Sequence, residues 1–318
     1  TFHSIFSRIL RVEAEKIGYT SNFTIYHDAD SKSLIKAIVK DMDLNDKVYK
    51  PSVVASRISM AKNHLVLPAD YACNSSLQKR DFETHMPDMT KLYAAYCDRC
   101  RRANAMDFDD LLVNTYVLFN EHPEVLKKYA SNFQYILVDE YQDTNAVQQK
   151  IVCQLASVNN RVCAVGDDAQ SIYAFRGANI DNMLSFQITF QGSRIFKLEQ
   201  NYRSTQTIVK AANSLIQHNQ RQIPKSVYSH NGKGEKLKLK MAYSDKEEAM
   251  IVCKDIKRMM DKEGAEYSDF AILYRTNAQS RTFEEALRKA NMPYKIFGGL
   301  SFYQRKEIKD VIAYFRLV

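Results

Sequence analysis

Along the first 132 residues the apolar positions recur at helical spacing. In SKSLIKAIVKDM, Leu34, Ile35, Ile38 and Val39 share one face, and DDLLVNTYVLF repeats the pattern. Prolines at 51, 68, 87 and 123 fall where helices should begin or end. The texture changes at residue 134. QYILVDE and RVCAVGDD are short, β-rich apolar runs that each end in acids, and NAVQQKIVCQLAS between them reads as a crossover helix. Strand, helix and strand with continuous apolar runs predict a parallel sheet covered on both faces. Chemistry in such sheets collects at the carboxyl ends of the strands, where Asp139, Glu140, Asp167 and Asp168 fall.

A second α/β rhythm starts near residue 194. SRIFKLEQ reads as a strand and STQTIVKAANSLIQHN as a helix carrying Ile208, Ala212 and Leu215. KLKLKMAYS alternates Leu237, Leu239 and Met241 with lysines, as a half-exposed strand would. Ser244 and Glu247 form a capping box for the helix EEAMIVCKDIKRMM, with Gly264 just past its end. DFAILYRT, a helix through Phe283 and Leu287, and YKIFGG complete the rhythm. A short ordered hinge is expected near 198 to 204.

Composition narrows the class. With 45% hydrophobic and 26% charged residues the 318-residue chain has the make-up of a globular protein. No apolar run approaches the ~18 residues of a membrane span, so no membrane partner is expected. The formal charge of +8 suits a polyanion without requiring one. Cys97 and Cys100 form a CxxC, but no second pair or nearby His completes a metal set, so both read as reduced thiols on a helix in a cytoplasmic setting. The chain opens at Thr1 with sequence that already reads as structured, which suggests a piece of something longer.

A strand ending in adjacent acids suits a nucleotide site, where one carboxylate holds Mg²⁺ and the next polarises water. On the dipeptide alone, Asp139 and Glu140 read sooner as caps of the helix that follows, because hydrophobic-hydrophobic-Asp-Glu is a common sequence. The neighbouring segments favour the site. GDDAQSIYAFRGA follows the second strand and LEQNYRST the third, bringing a Gln, aromatic faces and guanidinium groups.

DEYQDTN, GDDAQSIYAFRGA and LEQNYRST closely resemble three motifs of superfamily 1 DNA helicases of the UvrD/PcrA/Rep type. TFHS resembles that family's early DNA-contacting motif, and AMDFDDLL its acidic helix start. LYRTNAQSR and FGGLSFYQRKEIKD resemble its second-domain segments. The resemblance implies an α/β fold of RecA-like (P-loop NTPase type) parallel sheets: two partial domains plus a mostly helical insertion. Residues 1–132 would be the insertion with an edge of the first RecA-like domain, 133–198 the later part of that domain, and 199–318 the early part of the second.

By the same resemblance, Asp139 would organise Mg²⁺ and Glu140 act as general base on the hydrolytic water. Gln170 would sense the γ-phosphate of ATP, Arg203 would reach that phosphate, and Tyr202 would stack on the adenine. Tyr173 and Phe175 would stack on bases of single-stranded DNA, with Arg176 near a phosphate. The family commonly carries Trp where Phe175 stands, and this chain has no Trp. Thr1, Phe2 and His3 are further DNA candidates. Arg275 and Arg281 stay open between structural and binding roles, while Asp107, Asp109 and Asp110 read as helix-capping acids.

None of the nine glycines begins or closes a GxxxxGK[ST] phosphate loop. The family carries that loop upstream of TFHS and its later motifs downstream of Val318. The expectation is therefore a central segment of an ATP-dependent, 3′-to-5′ DNA helicase or translocase, inactive alone. It would act on single-stranded DNA and duplex/single-strand junctions, with repair or replication proteins as possible partners. Two alternatives stay open: a non-catalytic single-stranded nucleic-acid-binding module, and the motor subunit of a helicase-nuclease complex.

Overall fold

The computed structural model describes residues 1–297 and 306–315. It divides into two compact units, Thr1–Gly234 and Glu235–Val318.

The first unit opens with α1 (Phe2–Glu13), β1 (Thr24–Tyr26), α2 (Asp28–Asp41), α3 (Pro51–Asn63), α4 (Pro68–Cys73), α5 (Ser75–Glu83) and α6 (Met89–Arg102). Then come β2 (Ala105–Asp107), α7 (Phe108–Glu121) and α8 (Pro123–Asn132). Pro51, Pro68 and Pro123 each open a helix, where a missing N–H costs nothing. The predicted faces are buried: Ile35, Ile38 and Val39 pack with Tyr71, Leu92 and Tyr96, while Leu111, Leu112 and Phe119 pack with Phe6 and Leu10. β1 and β2 pair in parallel, Ile25 opposite Met106.

Next, β3 (Ile136–Val138), α9 (Ala146–Ala156) and β4 (Val162–Ala164) form the expected crossover. The strands pair in parallel with Leu137 opposite Cys163. Asn145 caps α9, its Oδ1 accepting from Gln148 N at 2.8 Å. Val138, Tyr141, Val152, Ala156 and Phe190 form a small core on one face. The other face is not covered: Leu137 is 75% exposed and Val165 51%. The expectation of two covered faces is not met among the described residues, where α9 covers the Val138 side of these continuous apolar strands and Leu137 stays open. Two single-turn helices, α10 (Asp181–Leu184) and α11 (Phe186–Thr189), precede α12 (Gln206–Ile216).

The second unit holds α13 (Asp245–Glu263), α14 (Asn277–Lys289) and α15 (Lys306–Phe315). Ser244 caps α13 and Gly264 ends it with φ 70°. Cys253, Ile256, Leu287 and Met292 make its core.

Three predicted strands are absent as paired strands. SRIFKLEQ contributes one isolated parallel bridge, Gln200 to Tyr228, and KLKLKMAYS and DFAILYRT contribute none. Leu239 and Leu273 are 94% and 89% exposed. Alternation marks a face, but a strand also needs a partner edge, and these segments have none among the described residues. In YKIFGG and FGGLSFYQRKEIKD, Gly298 to Arg305 lie outside the described residues. Among the described residues, no helix is long and apolar enough to cross a membrane.

Candidate functional site

β3 delivers Asp139 and Glu140 to an exposed position at its carboxyl end. Glu140 has left-handed backbone angles, φ 52° and ψ 46°. For a non-glycine residue this costs on the order of 1 kcal/mol, so the surroundings must enforce it. Asp139 Oδ1 accepts from Glu140 N at 2.9 Å. Gln142, 1% exposed, donates from Nε2 to Glu140 Oε2 at 2.6 Å, and its Oε1 accepts from Asp167 N at 3.0 Å. Tyr141 N donates to Val165 O at 2.9 Å. A Cβ on Gly166 would lie 2.5 Å from Gln142 Oε1 and 3.1 Å from Tyr141 N, so glycine is what lets the strand ends close up.

Beyond β4, Asp167 caps a short turn through Ala169 N at 3.1 Å. Gln170 Nε2 donates to Asp167 Oδ2 at 2.8 Å. Asp139, Glu140, Asp167 and Gln170 thus belong to one hydrogen-bonded network centred on buried Gln142. Lys225 pairs with both Asp167 and Asp168, and Ile223 N donates to Asp168 Oδ2 at 2.9 Å. Burial pushes the Asp167 carboxyl up, but Lys225 and the Gln170 amide outweigh it and hold it below its usual range.

The next turn presents Tyr173 and Phe175, ring centroids 6.1 Å apart. The Arg176 guanidinium lies 5.3 Å and 5.4 Å from those rings. Phe175 is 61% exposed, so its face is free to stack. Gly177, at φ 91°, follows where a Cβ would meet Asn63 Cβ at 2.9 Å.

Tyr202 and Arg203 occupy a separate, exposed turn. Asn201 Oδ1 accepts from Arg203 N at 3.0 Å and Ser204 N at 2.7 Å. Among the described residues, no hydrogen bond or ion pair joins their side chains to Asp139, Glu140 or Gln170. The turn is anchored instead through Asn201 N to Tyr228 O at 2.7 Å and Tyr228 N to Glu199 O at 2.9 Å.

At the amino terminus, Thr1 caps α1 by accepting from Ser4 N at 3.4 Å. Phe2 packs on Phe6, ring centroids 5.8 Å apart, and is partly buried against the core. His3 meets Phe108 edge-on at 5.7 Å. Among the described residues, no hydrogen bond or ring contact links these three to the Tyr173–Arg176 group. In the second unit, Arg275 N donates to Gln279 Oε1 at 3.0 Å, and Arg281 pairs with Glu285 on its own helix.

Asp107 caps α7, accepting from Asp110 N at 2.8 Å, while Asp110 Oδ2 accepts from Asp107 N at 3.1 Å. Sequence reasoning missed their partner. Lys62, buried in α3, pairs with Asp107 at 2.6 Å and Asp110 at 2.7 Å. Lys225 was missed too, since a lone lysine after Pro224 carries no pattern.

The carboxylates of Asp139 and Glu140 are hard oxygen donors with no ion-pair partner among the described residues, the donor chemistry a hydrated Mg²⁺ accepts. Three or more His, Cys, Asp or Glu are nowhere grouped as an all-protein metal cage among the described residues.

The UvrD/REP helicase N-terminal domain family matches residues 1–191, and the UvrD-like helicase C-terminal domain family matches 196–318. The ATP-dependent DNA helicase PcrA of Leuconostoc citreum is 43% identical over 318 residues, which cover 42% of that protein. Its namesakes from Staphylococcus aureus and Staphylococcus epidermidis are 45% and 44% identical over the same length, covering 43% of each. The chain spans less than half the length of the curated relatives it matches.

Proposed function

We propose, from the premise that this chain belongs to the UvrD/REP helicase family, that it forms part of an ATP-driven motor on single-stranded DNA. The observation that carries the reading is the Gln142-centred network, which ties two strand-end carboxylates to the 166–170 loop. Glu140 takes the proton of the attacking water, a role worth about 10²–10⁴-fold. Asp139 holds Mg²⁺, which supplies charge neutralisation at the phosphates. Gln170 senses the γ-phosphate once its amide leaves Asp167. Arg203 stabilises charge on the transferring phosphoryl group, and Tyr202 stacks on the adenine. Tyr173, Phe175 and Arg176 grip bases and a phosphate of single-stranded DNA, with Thr1, Phe2 and His3 as further DNA contacts.

In this reading residues 1–132 are the helical insertion with an edge of the first RecA-like domain, 133–198 its later part, and 199–318 the early part of the second. Movement is 3′-to-5′, the substrates include duplex/single-strand junctions, and the setting is cytoplasmic repair or replication. The test is ATP turnover by the product of the full reading frame, with and without oligo-dT. DNA-stimulated turnover supports the motor. Steeply salt-dependent oligo-dT binding without turnover gives the non-catalytic binding module instead. A nuclease domain in the same frame gives the helicase-nuclease reading.

A further inference from the structure

Lys225 stands at a junction that none of the recognised motifs includes. Its ammonium bridges the Asp167 and Asp168 carboxylates, with the lysine side chain 20% exposed and that of Asp168 2%. Asp167 is simultaneously the acceptor for the Gln170 amide, at 2.8 Å. On its other side, Lys225 is followed at once by Ser226, whose N–H donates to Glu199 Oε1 at 2.7 Å. Tyr228 then brackets Glu199 and Asn201 through its own N–H and carbonyl. Asn201 in turn holds the backbone of Arg203. A continuous set of polar contacts therefore runs from the Gln170 amide to the turn bearing Tyr202 and Arg203, with Lys225 as its ion-paired crossing beside the Ile223 N–H bond to Asp168.

We propose that Lys225 is a positioning residue that sets the placement of the Tyr202–Arg203 turn relative to the Gln170 loop, through its ion pairs to Asp167 and Asp168. The inference rests on the nucleotide-site reading above for its consequence in turnover, but not for the tie itself. A solvent-exposed pair would do little, at about 0–1 kcal/mol. This one is part-buried, spans two carboxylates and joins segments over 50 residues apart in the chain. A misplacement of ~1 Å at a reacting centre costs up to ~10²-fold in rate, so a loosened turn registers in kcat.

Two measurements test it. In the 318-residue chain, Lys225→Met raises amide hydrogen exchange at Asn201 and Tyr228 by about tenfold or more and leaves Val165, whose N–H donates to Val138 O just past β4, unchanged. In the product of the full reading frame, the same substitution lowers kcat for DNA-stimulated ATP turnover about tenfold, with KM within about twofold. Lys225→Arg restores most of it, and Lys225→Met with Asp168→Asn together are no worse than the lysine change alone. Unchanged exchange at Asn201 and Tyr228 overturns the tie. Raised exchange with unchanged kcat, or no rescue by arginine, overturns the positioning role. No turnover in the unsubstituted protein overturns the nucleotide-site reading instead, and the exchange result still decides the tie.

Discussion

Lys62→Met removes the cation that pairs with Asp107 and Asp110 in a buried cluster. The Lys62 side chain is 2% exposed, with Asp107 Oδ2 at 2.6 Å, Asp110 Oδ1 at 2.7 Å and the Tyr96 ring centroid at 5.0 Å. Without the ammonium, Asp107 keeps the Tyr96 hydroxyl at 2.8 Å and Asp110 keeps the Asp107 amide, but among the described residues neither keeps an ion-pair partner. Breaking such a pair from one side costs about 3–5 kcal/mol. For a unit of this size that lowers Tm by about 6–20 °C.

The pH dependence has a definite sign. Burial, with repulsion from Asp107, pushes the Asp110 carboxyl up to about 6 even with Lys62 present. A raised carboxyl favours the fold with its proton on, so its contribution is full below about 3.8 and lost as pH rises through 6. Burial also pushes Asp107 up, but Lys62 outweighs it and holds that carboxyl below its usual range. Its contribution is present above 3.8 and lost as pH falls through its folded value. In Lys62→Met both carboxyls rise, so the deficit is largest at neutral pH and shrinks by about 1 kcal/mol or more towards pH 4. Urea unfolding followed by far-ultraviolet circular dichroism measures it, as the chain has no tryptophan. A deficit under about 1 kcal/mol at pH 7, or one flat with pH, refutes the reasoning.

Two other outcomes follow from the site. Phe175→Ala weakens oligo-dT binding about 5- to 150-fold by fluorescence anisotropy, the equivalent of one lost stacking contact of about 1–3 kcal/mol, with the salt slope unchanged. The 318 residues alone, which contain no GxxxxGK[ST] loop, release no phosphate from ATP above background in a coupled assay, since no backbone nest and lysine cradle the triphosphate.

Much of the scaffold was legible because its signals are local. Pro51, Pro68 and Pro123 mark helix starts through their own φ, and Ser244 marks another by capping. The β3–α9–β4 crossover followed from two apolar runs around a helical one. What stayed hidden depends on partners distant in sequence. Lys62 sits near the end of α3, where a lysine ordinarily faces water, and Asp107 and Asp110, over 40 residues on, explain its burial. Leu237, Leu239 and Met241 alternate with lysines as strand residues should, yet nothing in a local pattern says whether an edge is available. Gln142 read as one polar residue among several, and its place at the hub emerged only when Gly166 brought the second strand end beside it.

The most direct measurement is single-turnover ATP hydrolysis by the product of the full reading frame carrying Glu140→Gln, beside its binding of a fluorescent ATP analogue. The strand-end carboxylate as general base predicts a loss of hydrolysis of about 10²-fold or more, with analogue affinity within about threefold of the unsubstituted protein. Hydrolysis at the unsubstituted rate would contradict the account, and Glu140 would then be only a strained residue at the end of a strand.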